Sequence, residues 1–124
     1  MKVEQREHNG IVILELEGPL FSRSYKVQHD ERKELQDLFQ SLQLGRTTRV
    51  IVSLTKVNYV NSSGWGSLIG AYKRLGSAGG ELLVVHGGGK FEEVIHLLKL
   101  DQVWKTFVTV DEALAHFAAA ESAE

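Results

Sequence analysis

Residues Val50 to Leu75 read VIVSLTKVNYVNSSGWGSLIGAYKRL, and the reading of this stretch decides the fold. Val50 to Leu54 is short, almost wholly apolar and rich in β-branched side chains, which predicts a buried strand. A short polar turn with two adjacent serines follows and opens directly into a glycine-rich helix. Asn61, Ser62 and Ser63 can cap that helix, because a short side-chain oxygen accepts a bond from an N–H of the first turn that lacks an intrahelical partner.

On the helix, Trp65, Leu68, Ile69, Tyr72 and Leu75 recur at the spacing of one apolar face. At about 100° per residue, Ser62, Gly66, Gly70, Lys73 and Ser77 fall together on a second, flat face. Glycine inside a helix costs about 1 kcal/mol relative to alanine, so Gly66 and Gly70 require an offsetting reason. Close approach of another backbone supplies one, either a neighbouring helix of the same chain or a partner.

The run Tyr59, Val60, Asn61, Ser62, Ser63, Gly64, Trp65, Gly66 resembles the signature of the STAS domains, and among them the bacterial anti-sigma factor antagonists. In that family a hydrophobic strand leads to Tyr or Phe, an apolar residue and then Asp-Ser-Ser/Thr-Gly-Leu-Gly opening a helix. The order of elements matches from about Val3 to Phe117. The resemblance implies that the first serine, Ser62, is phosphorylated by a partner kinase. One position departs from the pattern: Asn61 stands where the family has Asp, keeping the shape and capping oxygen but not the negative charge.

The physics of Ser62 stands beside the resemblance. A phosphate adds about −1.5 to −2 charges and three acceptor oxygens at pH 7. At a helix N-terminus that charge meets unpaired N–H groups and the positive end of the dipole, so the fold tolerates it. On a flat apolar interface the same charge is expelled, so a phosphate here switches a binding face and leaves the fold standing. Read from the pattern alone, a serine before a helix is a common cap and nothing more.

At 124 residues, with 43% hydrophobic and 24% charged residues, the chain fits one globular domain with a core of its own. A formal net charge of −2 and the lack of a Lys/Arg run argue against nucleic-acid binding. There is no cysteine, so disulfides and thiol nucleophiles are excluded. Met1 to Gly10 is mostly polar, unlike a secretory signal, and no apolar run approaches a spanning helix; the cytoplasm is the expected compartment.

In chain order, Val3 to His8 and Ile11 to Glu17 flank Asn9-Gly10, a dipeptide suited to a type I′ turn, which predicts an opening hairpin. Val12, Leu14 and Leu16 alternate with Ile13, Glu15 and Glu17, giving one apolar and one mixed face and a sheet covered on one side. Gly18-Pro19 is expected to end the strand. A helix starting at Ser22, Ser24 or Asp30 carries Leu35, Leu38, Phe39 and Leu42 on one face and stops at Gly45. Gly79-Gly80 closes the next helix, and Leu82 to Val85 is a second buried strand. Phe91 to Lys99 is helical, Lys105 to Val108 a short strand, and Thr109 with Glu112 a capping box for a last helix that frays over Ala118 to Glu124.

His86-Gly87-Gly88-Gly89-Lys90 invites two functional readings. An HGGG oxyanion hole needs a Gly-x-Ser-x-Gly elbow, which the chain lacks, and a phosphate loop needs the full Gly-x4-Gly-Lys-Ser/Thr spacing. A flexible loop with weak nucleotide or anion binding is what remains. His8, His29, His86, His96 and His116 lie on separate elements without metal-ligand spacing, so no metal site and no cofactor are expected. No serine sits beside a local base, and catalysis has no positive case.

The expected architecture is one α/β domain ordered β-β-α-β-α-β-α-β-α, a mixed sheet with helices mainly on one face, as the resemblance implies. It also implies a partner-switching regulator that binds an anti-sigma factor of the serine-kinase type through the Ser62 turn and the helix behind it. That kinase would hold the ATP and Mg²⁺, and a serine phosphatase would reverse the modification. Ser62 is then the acceptor, Asn61 and Ser63 shape and cap the turn, Gly64, Gly66 and Gly70 permit close approach, and Lys73 lends charge to the interface. The alternative is a STAS-like scaffold or transporter-associated subunit that is never phosphorylated, for which Asn61 speaks.

Overall fold

The computed structural model describes residues 2–20, 33–41 and 49–122. In chain order these form β1 (Lys2–His8), β2 (Ile11–Leu20), α1 (residues 33–41), β3 (Arg49–Val60), α2 (Ser62–Ser77), β4 (Glu81–Val85), α3 (Lys90–Leu97), a single 3-10 turn (Leu100–Gln102), β5 (Thr106–Phe107) and α4 (Val110–Ser122). This is the expected order of elements. Leu42, Gly45 and the Ser22 to Asp30 helix starts lie outside the described residues.

The five strands stand side by side in chain order, β1 antiparallel to β2 and every later pair parallel. Asn9 and Gly10 turn the opening hairpin with φ of 50° and 81°, the left-handed values that a type I′ turn demands. Each later step adds a parallel strand on the same side through a helical crossover. Such crossovers are right-handed, and repeating one hand in one direction puts α1, α2 and α3 on a single face.

That face holds the larger core. Leu14, Leu16, Val50, Val52, Leu54, Leu82 and Val84 meet Leu35 and Phe39 of α1, Leu68, Ala71 and Leu75 of α2, and Phe91 and Ile95 of α3. The opposite face is not bare, as the alternation in β2 alone suggests. α4 is no crossover and is free to pack there, burying Ala113 and Phe117 against Ile11, Ile13, Ile51, Leu83 and Val85. The Arg49 guanidinium lies 5.8 Å from the centre of the Phe117 ring and adds a cation–π contact to that packing. α4 reaches Ser122, past the point where fraying is expected, and Glu112 N–H donates to Thr109 Oγ1 at 3.2 Å as the capping box requires. Among the described residues no helix is long and apolar enough to cross a membrane.

Two strands run further than expected. β2 does not end at Gly18-Pro19 but continues to Leu20. Among the described residues β1 pairs with β2 as far as Glu17, and residues 18–20 are paired with β3; a proline is tolerated in such a segment where no strand stands on its N–H side. β3 likewise continues through the segment read as a polar turn and ends at Val60. Its register against β2 shifts twice, from Glu15↔Ser53 to Glu17↔Lys56 and from Gly18↔Val57 to Pro19↔Tyr59. The first irregularity inverts the in-out alternation, so Val57 is buried and Lys56 exposed, and Lys56 Nζ pairs with Glu15 Oε1 at 3.3 Å.

Candidate functional site

β4 pairs with β3 as far as Ser53↔Val85, whereas β2 accompanies β3 to Leu20↔Val60. Among the described residues the segment from Val57 to Val60 is therefore a two-stranded ribbon with β2 that reaches beyond the rest of the sheet. The Asn61 turn stands at its tip. Tyr59, the aromatic residue of the family signature, is exposed there.

Asn61 is the N-cap of α2. Its backbone is extended (φ −90°, ψ 179°), its carbonyl accepts the first helical bond from Trp65 N–H at 3.1 Å, and its Oδ1 accepts from Gly64 N–H at 2.8 Å. Ser62 and Ser63 are the first two helical residues, so their N–H groups belong to the set with no intrahelical acceptor. No acidic residue occupies the first turn of this 16-residue helix. The positive end of the dipole is left without a carboxylate at the position where Ser62 sits.

The two faces of α2 separate as the spacing predicts. Trp65, Leu68 and Leu75 are buried, with Ile69 and Tyr72 packed partly against the same core. On the other face Gly66, Lys73 and Ser77 are exposed and Gly70 is half-buried. A Cβ at Gly66 would meet nothing within 4 Å, and at Gly70 only Arg74 Nη2 at 3.9 Å. Among the described residues no neighbouring helix approaches either glycine, so within them the close approach that would offset the two glycines is not made. Gly64 differs from them in being buried under the turn.

The site residues thus divide into a capped turn (Asn61, Ser62, Ser63, Gly64) and an open small-residue face (Gly66, Gly70, Lys73) on one helix. Behind the turn, Trp65 packs edge-on against Phe91 of α3.

The glycine loop is more built than its sequence suggests. His86 is 6% exposed, its backbone N–H donates to Phe107 O at 2.9 Å, and its Nδ1 accepts from Gly88 N–H at 2.8 Å. Gly87 passes against β3 so closely that a Cβ would fall 3.1 Å from Thr55 Cγ2. His86 and His96, on separate elements, line one cavity of about 530 Å³ together with Glu92, Glu93 and Asp101. The histidine spacing alone hides this proximity; the signal was a histidine directly after a buried strand.

The family model for the STAS domain matches residues 2–113. An anti-sigma F factor antagonist of Paenibacillus polymyxa is 29% identical over 87 residues, covering 68% of this chain and 67% of that protein. Among solved structures, a candidate anti-sigma factor antagonist of Thermotoga maritima aligns with a TM-score of 0.76 at 25% identity over 92% of both chains. The phosphorylated form of the Bacillus cell fate determinant SpoIIAA aligns with a TM-score of 0.69 at 16% identity, over 94% of this chain and 99% of that one. A sulfate transporter family protein from Wolinella succinogenes gives 0.72 at 17% identity, over 88% and 85%. At the last two identities the likeness is one of fold.

Proposed function

This chain belongs to the STAS domain family, and on that footing we propose that it acts as an anti-sigma factor antagonist switched by phosphorylation of Ser62. Its partner in this reading is an anti-sigma factor of the serine-kinase type, which carries the ATP and Mg²⁺. The chain itself performs no catalytic step. Binding through the Asn61 turn and the open face of α2 releases the sigma factor, phosphate on Ser62 ends the complex, and a serine phosphatase restores it.

The observation that carries this reading is the place of Ser62, first in α2, beside unpaired N–H groups and a first turn without a carboxylate. A phosphate there gains favourable contacts with the helix end and adds charge beside Gly66 and Gly70, where close approach of a partner backbone is sterically open. The same negative charge against a partner's docked surface costs desolvation and breaks the complex.

The test compares Ser62→Ala with Ser62→Asp for binding to the anti-sigma kinase, with intact mass measured after incubation of the parent chain with kinase and ATP. Ser62→Ala is expected to bind as the parent does, Ser62→Asp to fold but bind poorly, and the parent to gain one phosphate on the Tyr59 to Lys73 peptide. Equal affinity of the two variants would sink the switch. A second reading, a constitutive scaffold or transporter-associated subunit, is favoured by Asn61, which offers a kinase no charge at the position before the acceptor. It predicts no mass increase.

A further inference from the structure

Among the described residues β1 has a neighbouring strand on one side only, and every residue of it except Val3 is exposed. Alternate residues of an edge strand turn their backbone N–H and C=O groups away from the sheet, and proteins commonly blunt such an edge with a very short strand, a proline or a bulge. The opposite edge follows that rule, since β5 is the two residues Thr106–Phe107. β1 does not. It is seven residues long, contains neither proline nor glycine, and pairs with β2 from Lys2↔Glu17 to His8↔Ile11 without a break in register. Such a regular edge can be extended by a further strand.

The charges on the edge say which strand. Paired residues of an antiparallel ladder share a face, so Lys2, Glu4, Arg6 and His8 stand on the face of Glu17, Glu15, Ile13 and Ile11. Glu4 is directly opposite Glu15, a like-charge pairing that costs stability. Glu15 has compensation, from Lys56 Nζ at 3.3 Å and Arg6 Nη2 at 3.6 Å. Glu4 makes no ion pair among the described residues. The complement of this edge is a strand that sets a cation against Glu4 and an anion against Arg6.

We propose that this strand is β1 of a second copy of the chain, paired antiparallel about a two-fold axis through Gln5. An axis normal to the sheet keeps side chains on their own face and must pass through a residue. At Gln5 it sets Glu4 against Arg6 of the second copy and Arg6 against the second copy's Glu4, with Val3 against Glu7 and Lys2 against His8. The neighbouring registers are repelled: an axis at Glu4 sets Glu4 against Glu4 and Lys2 against Arg6, and one at Arg6 sets Arg6 against Arg6. Charge thus selects one register. In it a row of alternating sign, Lys56, Glu15, Arg6 and the second copy's Glu4, crosses from β3 to the added strand. β1 lies two strands from β3, and the pairing uses none of the residues of the Ser62 turn.

The test is analytical ultracentrifugation of the full chain at low salt, beside two charge reversals at exposed positions, Glu4→Arg and Arg6→Glu. The parent is expected to form a reversible dimer in the micromolar to millimolar range, since a single strand edge buries less than a standard interface. Each reversal sets like charges opposite each other at both symmetric contacts and should weaken the dimer at least about tenfold. An equimolar mixture of the two variants restores both opposite-charge contacts and should associate about as the parent does. The double reversal Glu4→Arg with Arg6→Glu in one chain should do the same, and it also sets a cation directly opposite Glu15. Amide hydrogen exchange on the parent should show protection of β1 that rises with concentration. A parent that stays monomeric at millimolar concentration, a dimer that both single reversals leave intact, or recovery in neither the mixture nor the double variant would overturn the proposal; the second of these would place the dimer on another face.

Discussion

The indole of Trp65 meets the phenyl ring of Phe91 edge-on, with centroids 6.1 Å apart and planes at 78°. Trp65 lies in the first turn of α2 and Phe91 in the first turn of α3, so the contact pins together the starts of the two helices that follow the central strands. The Ser62 turn is held from behind by this pair and from below by the ribbon of β2 and β3.

Truncating either ring should therefore loosen the turn as well as the core. Trp65→Ala or Phe91→Ala is expected to cost about 3–5 kcal/mol, and a double-mutant cycle in urea to return about 0.5–1.5 kcal/mol of coupling for the edge-on pair. A coupling of zero would show that the two rings are neighbours without a specific interaction.

Asn61 separates capping from charge. Asn61→Ala removes the Oδ1 acceptor of Gly64 N–H and should cost about 1 kcal/mol of stability. Asn61→Asp keeps the acceptor and adds a charge that the helix end favours by about 0.3–1 kcal/mol, so thermal denaturation should show this variant at least as stable as the parent. If the missing family aspartate limits the kinase, the same variant will also be phosphorylated faster.

Gly66 is where stability and binding are expected to part company. With nothing within 4 Å of its Cβ position, Gly66→Ala should stabilise α2 by about 0.5–1 kcal/mol. A methyl group on the open face would at the same time hold a docked backbone away and weaken binding to the kinase. Chemical denaturation and an affinity measurement on one variant decide it, and a gain in both would remove Gly66 from the interface.

At Gly87 the expectation reverses. Its φ of +77° disfavours any L side chain, and Thr55 Cγ2 stands 3.1 Å from the new methyl, so Gly87→Ala should destabilise by about 1–3 kcal/mol. Gly89→Ala also has a positive φ but meets nothing within 4 Å, so its cost is one of backbone conformation without a contact of the Thr55 kind.

The alternation of β2, the apolar run of β3 and the capping residues were legible because each is a local property. So were the two faces of α2, since helical spacing fixes them without reference to the rest of the fold. The length of β3 was not: Thr55 to Val60 is polar at Thr55, Lys56 and Asn58, and it is a strand because β2 pairs with it. Pro19 misled for the complementary reason, since the cost of a proline depends on whether a strand stands on its N–H side. The covering of the second face by α4 and the cavity shared by His86 and His96 come from distant elements meeting, and residue spacing carries no record of that.

The strands stand in the sheet in the order in which they occur in the chain, so every strand pairs with its immediate predecessor. Chains are made from the N-terminus, and here each strand leaving the ribosome finds the edge it needs already laid down. From β2 onward no strand depends on a later one for its first partner, and the closure entropy of each step is that of one hairpin turn or one crossover. The Ser62 turn sits at the midpoint of this growth, between the third strand and the helix that returns to the fourth, so its geometry is set before the last edge of the sheet is complete.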